Sequence, residues 1–168
     1  MERPAHVTDF LDRLQAPARR ASRASGVPAE LILAQAALET GWGRRQIATA
    51  GGGDSHNLFG IKAGSQWRGA TADVPTTEYV DGQAQKRVER FRAYPSLEAG
   101  LADYARLIGG NPRYAGVVAA PDAAQAAREL QQAGYATDPA YADKLIAVMA
   151  SLGQTQAVAR LDAADTRE

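Results

Sequence analysis

Two glutamates, Glu39 and Glu78, sit where a carboxyl could do chemistry. Glu39 follows the nearly unbroken apolar run at 31–38 and precedes Thr-Gly-Trp-Gly at 40–43. A carboxyl set against apolar walls and an indole loses hydration when it ionises. Partial negative charge at a helix C-terminus opposes ionisation further. Both effects favour a protonated acid, and a protonated carboxyl can donate to a glycosidic oxygen. Glutamates in general are solvated surface groups; the apolar setting singles this one out. Glu78 lies three residues before the Asp81-Gly82 pair, in a β-prone run. Strand alternation places Glu78 and Val80 on one face and Tyr79 on the other. A strand of an inserted lobe can aim Glu78 across a cleft at Glu39.

Aromatic and polar residues supply candidate substrate contacts. Trp42 and Trp67 are the only tryptophans, and an indole offers a flat apolar face for the C–H side of a sugar ring. Tyr135 follows Gly134 and starts the short loop Tyr-Ala-Thr-Asp-Pro, from which a hydroxyl can point into a site. His56 and Asn57 lie in a glycine-rich stretch, where either can hydrogen-bond a ligand. Each of these residues also has an ordinary reading, as core packing or a solvated loop group.

Composition narrows the chemistry. The chain has 168 residues, no cysteine and two histidines, His6 and His56. Thiolate nucleophiles and disulfides are excluded, and no pair of histidines has zinc-ligand spacing, so no metal and no cofactor is expected. Lysine plus arginine and aspartate plus glutamate number 19 each, so net charge does not draw the protein to nucleic acid. No stretch approaches the roughly 20 apolar residues of a membrane span. The opening Met-Glu-Arg-Pro-Ala-His lacks the apolar core of a cleaved signal peptide.

The elements that must position these residues can be read from the pattern. A helix is expected over 8–25, kinked or restarted at Pro17 and closed by Gly26. A second, mostly buried helix is expected over 28–40, opened by Pro28 and stopped by Gly41 and Gly43. Residues 51–69 are rich in glycine and read as a mobile, irregular loop. The runs 74–80 and 83–91 flank Asp81-Gly82, a two-residue hairpin signal. Helical spacing returns after Ser96, and Asp122 with Gln125 reads as a capping box for a helix ending before Gly134. Pro139 opens a last helix, and the polar tail at 153–168 is expected to fray. The fold class is α+β, a helical body with a small inserted β lobe at about 70–92 and a cleft between them. Residues 1–152 form one domain in this reading.

Four segments are familiar as a set: GVPAELILAQAALETGWGRR at 26–45, NLFGIK at 57–62, TTEYVDG at 76–82 and AGYATDPAYADKL at 133–145. In this order they resemble the glucosaminidases of glycoside hydrolase family 73, and in particular the enzymatic domain of its flagellar peptidoglycan hydrolases. The resemblance covers about residues 8 to 152. It implies a lysozyme-like α lobe carrying the β lobe. It also implies cleavage of the β-1,4 bond from N-acetylglucosamine to N-acetylmuramic acid, with peptidoglycan glycan strands as the partner and the periplasm as the location. The family's catalytic acid falls on Glu39, its second acidic residue on Glu78 and its site tyrosine on Tyr135, with Asn57 and Phe59 beside the cleft. Flagellar members carry an N-terminal rod-binding domain that this sequence lacks. It therefore reads as an enzymatic domain alone, and any contact with flagellar rod proteins would rest on the missing part.

Several readings stay open at this stage. Glu78 could activate water, with inversion, if the carboxyls are about 6.5–9.5 Å apart. Alternatively the substrate's acetamido group attacks with retention, and Glu78 or Tyr135 orients it. One rival is a lytic transglycosylase or muramidase, though Asn57-Leu58-Phe59-Gly60 stands where a transglycosylase is expected to show a Gly-Leu-Met-Gln-like segment. The other is a non-catalytic glycan-binding module, which would keep Trp42, Trp67 and Tyr135 but would not need Glu39.

Overall fold

The computed structural model describes residues 3–165, with side chains described to residue 153. Among the described residues, six helices and a two-stranded antiparallel sheet make an α+β fold. Helix α1, Ala5–Ser25, buries a stripe of Phe10, Leu11, Leu14, Ala18 and Ala21. It runs unbroken through Pro17, so the helix does not restart there. A proline removes one backbone bond and crowds the preceding turn. Here the buried stripe continues on both sides of it, and packing against neighbouring helices holds the helix together. Gly26 closes α1 in the left-handed conformation, φ 81°, and its N–H donates to the Ser22 carbonyl at 2.8 Å.

Helix α2, Ala29–Thr40, is the centre of the molecule. Residues 31–37 are all buried, because α1 packs on one side and the last helix, α6 (Tyr141–Asp165), on the other. An all-round apolar sequence suits that position. Gly41, at φ 57°, stops the helix one residue after Thr40.

The hairpin is longer than the sequence pattern suggested. Strand β1, Thr71–Val80, pairs with β2, Gln83–Arg92, from Thr71 opposite Arg92 to Val80 opposite Gln83. Asp81 and Gly82 both have positive φ, 53° and 79°, as a type I′ turn requires. Ala72 and Phe91 are buried at its base, while the residues near the turn are half-buried or exposed.

The glycine-rich stretch is anchored rather than loose. Ala63 N–H donates to the Arg90 carbonyl at 2.9 Å, and Arg92 N–H to the Ile61 carbonyl at 3.0 Å. Lys62 thus bridges to Phe91 beside β2. Ser55, Asn57, Phe59 and Ile61 are buried at alternate positions, a strand-like pattern masked in the sequence by surrounding glycines.

Helix α3, Leu97–Gly110, is capped by Ser96, whose hydroxyl oxygen accepts from Ala99 N–H at 3.1 Å. A 3₁₀ turn at Pro112–Tyr114 and a short helix α4, Ala115–Ala119, follow; neither was expected. Helix α5, Ala123–Gln132, starts at Asp122, whose carboxylate accepts from Gln125 N–H at 2.8 Å. Only half of a capping box forms, since the Gln125 side chain donates to Glu129 instead. Helix α6 begins two residues after Pro139. The expected polar tail at 153–168 lies almost entirely outside the residues whose side chains are described.

Candidate active site

Glu39 occupies the last turn of α2, directly before the Thr40-Gly41 helix end. The chain there takes an unusual path. Gly41, Trp42 and Gly43 all have positive φ, at 57°, 59° and 84°. For Trp42 this is a costly backbone conformation. Two bonds fix it: Trp42 N–H donates to the Ala37 carbonyl at 2.9 Å, and Gly43 N–H to the Thr40 hydroxyl at 3.0 Å. The half-buried Trp42 ring meets Phe10 edge to face, centroids 5.7 Å apart.

The Glu39 carboxyl is open to solvent on one side and walled on others. Gly60 presses against it so closely that a Cβ there would lie 3.0 Å from Glu39 Cδ and Oε1. Gly60 also has φ 65°, so glycine is required there twice over. Desolvation by the surrounding protein raises the Glu39 pKa, and the Arg45 charge opposes the rise without cancelling it. The expected protonated acid is therefore what this environment favours.

Glu78 behaves in the opposite way. Burial alone would raise its pKa, yet hydrogen bonds from Lys62 and Thr137 and the charges of Lys62 and Arg87 bring it below the ordinary value. Lys62 Nζ lies 2.5 Å from Oε1, and the Thr137 hydroxyl donates to Oε2 at 2.8 Å. One carboxyl is pushed towards the neutral acid and the other towards the anion, the division of labour that glycosidases use.

Tyr135 stands on the Glu39 side. Its hydroxyl donates to the Phe59 carbonyl at 2.6 Å, adjacent to the Gly60 that touches Glu39. The ring stacks on Tyr141 at 6.1 Å and meets Tyr114 edge to face at 6.2 Å. Burial first, then the neighbouring tyrosines and Glu39, hold its pKa well above the usual phenol value. It stays a neutral donor. Beneath it a buried polar chain supports the site: Tyr104 O–H donates to Gln35, and Gln35 Nε2 to the Tyr141 hydroxyl at 3.2 Å. Gln35 sits one turn before Glu39 on α2, so the acid's helix is locked in rotation.

Other residues expected at the site are placed differently. Asn57 is 3% exposed, and its amide is consumed by the protein's own backbone. Nδ2 donates to the Ile61 and Arg92 carbonyls, both at 2.9 Å, while Oδ1 accepts from Phe59 and Ile61 N–H. With all its capacity used, it shapes the 57–61 loop and does not suit the expected contact with substrate. Phe59 is likewise buried, its ring 4.1 Å from Tyr104 between centroids; its contribution is the carbonyl that receives Tyr135. Trp67 sits at the foot of the hairpin. Its indole N–H donates to the Ala70 carbonyl at 2.8 Å, and the Arg92 guanidinium covers the ring at 4.7 Å. That leaves Trp42 as the tryptophan beside the acid. His56 is half-buried, with its backbone N–H bound to Asp54.

Three functional features escaped the sequence reading. Lys62 and Thr137 hold Glu78, although neither residue type signals chemistry; both lay within the segments NLFGIK and AGYATDPAYADKL. Asp103, on α3, gathers Arg92, Arg106 and Tyr94 around one buried carboxylate. A cavity of about 360 Å³ opens beside this cluster, lined by Arg92, Asp103, Arg106 and Asn111 among others. It includes none of Glu39, Glu78 and Tyr135.

Known proteins share this fold. The peptidoglycan hydrolase FlgJ of Salmonella typhimurium is 54% identical over 144 residues, covering 86% of this chain and 46% of FlgJ. The chain thus spans about half the length of the curated relative it matches. A crystal structure of a mutant peptidoglycan hydrolase from Sphingomonas sp. A1 superposes with a TM-score of 0.79 at 52% identity, covering 84% of this chain and 91% of that one. A C-terminally truncated glycoside hydrolase domain of Salmonella typhimurium FlgJ gives 0.72 at 52% identity, covering 88% and 98%. The glucosaminidase family, described as mannosyl-glycoprotein endo-β-N-acetylglucosaminidase, matches over residues 15–154. With that span covering the acid, the hairpin and the tyrosine loop together, this chain belongs to the glucosaminidase family of glycoside hydrolases.

Proposed function

We propose that this domain hydrolyses the β-1,4 bond between N-acetylglucosamine and N-acetylmuramic acid in peptidoglycan, with Glu39 as general acid. The observation that carries the reading is the pair of carboxyls displaced in opposite directions and tied to one loop, Tyr135 to Thr137. The Glu39 proton passes to the leaving glycosidic oxygen as the bond to the anomeric carbon breaks. Positive charge then develops on the sugar, as in an oxocarbenium ion. Glu78, held as an anion, stabilises that charge. A carboxylate whose pKa is lowered by Lys62 and Thr137 is a weak proton acceptor, so electrostatic stabilisation suits it better than deprotonating water. Attack by the substrate's own acetamido group, with Glu78 orienting it, fits this environment best. Tyr135, neutral and donating to Phe59, fixes the wall of the cleft against Glu39.

The relatives named as peptidoglycan hydrolases support the polymer, and we assign the work on a wall substrate to the periplasm, outside the cytoplasmic membrane. By the same likeness we assign the domain to opening the wall for flagellar rod assembly, where rod proteins would be met by parts of a longer chain. The stereochemistry of the first-formed product tests the mechanism. NMR of a fresh digest of purified peptidoglycan should show the β-anomer before mutarotation. An α-anomer appearing first would make Glu78 the activator of water and remove the acetamido route.

A further inference from the structure

Thr137 is an exposed loop residue with an unusual set of bonds. Its hydroxyl donates to Glu78 Oε2 at 2.8 Å and accepts the Tyr79 backbone N–H at 3.2 Å. A single side chain from the α5–α6 connection thereby grips both the carboxylate and the backbone of the strand that carries it. The same loop, two residues earlier, donates from Tyr135 to the Phe59 carbonyl beside Gly60 and Glu39. At its foot the hairpin is held by backbone bonds to the loop residues 61, 63 and 70, and by the Arg92–Asp103 ion pair to α3. Nearer its turn, where Glu78 lies opposite Gln85, Thr137 ties it to the α5–α6 loop and Lys62 to the 57–63 segment.

We propose that Thr137 is a positioning residue that sets where Glu78 stands relative to Glu39, by clamping carboxylate and strand to the tyrosine loop. A hydroxyl is needed because it must donate to Glu78 and accept from Tyr79 at once. Valine has the same shape and can do neither. The proposal rests on the role given to Glu78 above.

The test uses the domain with purified peptidoglycan and compares Thr137→Val, Thr137→Ser, Glu78→Gln and the Thr137→Val/Glu78→Gln double variant. Loss of a hydrogen bond to a charged group costs about tenfold or more in rate where that group acts in the transition state. Thr137→Val should therefore lower kcat about tenfold with KM little changed and with an unaltered melting temperature. Thr137→Ser should recover most of the loss. The acidic limb of kcat/KM should move to higher pH in Thr137→Val, since the anion loses a donor while Lys62, its neighbour Glu89 and Arg87 are retained. In the Glu78→Gln background Thr137→Val should add nothing. Thr137→Ala serves as a second hydroxyl-free variant should the valine disturb folding. Wild-type kcat in Thr137→Val beside an inactive Glu78→Gln overturns the clamp and leaves the role of Glu78 standing. Additive losses in the double variant also overturn it. Wild-type turnover in Glu78→Gln overturns the reading of Glu78 itself.

Discussion

Glu39 and Glu78 begin from similar intrinsic acidities and are separated by their surroundings. Gly60 and the end of α2 strip water from Glu39, while Lys62 and Thr137 donate to Glu78. The pH dependence of kcat/KM should be bell-shaped, with the acidic limb set by Glu78 below the ordinary carboxylate value and the alkaline limb set by Glu39 above it. Replacing Lys62 with Met should raise the acidic limb; an unmoved limb would mean that Glu78 does not titrate in catalysis. The raised pKa of Glu39 also carries a stability cost. The folded state binds this proton more tightly than the unfolded state, so the cost is absent below the ordinary value of 4.5 and is in full force once pH has risen through the folded value. Glu39→Gln should accordingly melt no lower than wild type at neutral pH, while losing nearly all activity.

At the scale of elements, the Asp103 cluster fastens β2 to α3. The Asp103 side chain is 5% exposed and Arg92 20%, whereas Arg106 is mostly in water and contributes little. Removing the buried carboxylate leaves Arg92 without its partner, which costs about 3 kcal/mol. Asp103→Asn should destabilise the domain by that order in urea denaturation at neutral pH. The Asp103 pKa would be raised by burial, but Tyr94, Arg106 and Arg92 lower it overall. Its contribution to stability is thus present above the ordinary value of 3.8 and is lost as pH falls through the lowered one. The difference between Asp103→Asn and wild type should shrink on acidification; a constant difference would argue against the ion pair.

Local chemistry made some elements plain in the sequence and hid others. Asp81-Gly82 demands a tight turn, and Gly26 and Gly41 end helices by accepting left-handed backbone; all three act within a few residues. Pro17 does not interrupt α1, because packing against α2 and α3 holds the helix on both sides of it. The 51–69 stretch reads as loose, yet pairing with β2 and the fully bonded Asn57 amide hold it. Asn57 and Phe59, expected beside the cleft, are buried there, with the Asn57 amide bonded to the protein's own backbone. Lys62 and Thr137 gain meaning only when the hairpin folds back, across 16 and 59 residues, onto their partner Glu78.

For the whole molecule, in the proposed mechanism the helical body supplies Glu39 as the acid and Tyr135, and the hairpin supplies Glu78 as the anion. The proposed site needs both assembled, with the α5–α6 loop bonded to Phe59 beside Gly60 and to Glu78. Product analysis of purified peptidoglycan digested by wild type and by Glu39→Gln tests the central claim most directly. Mass spectrometry should find new reducing N-acetylglucosamine ends with wild type and none with folded Glu39→Gln. Anhydro-muramic ends, reducing muramic ends or wild-type turnover by Glu39→Gln would contradict it.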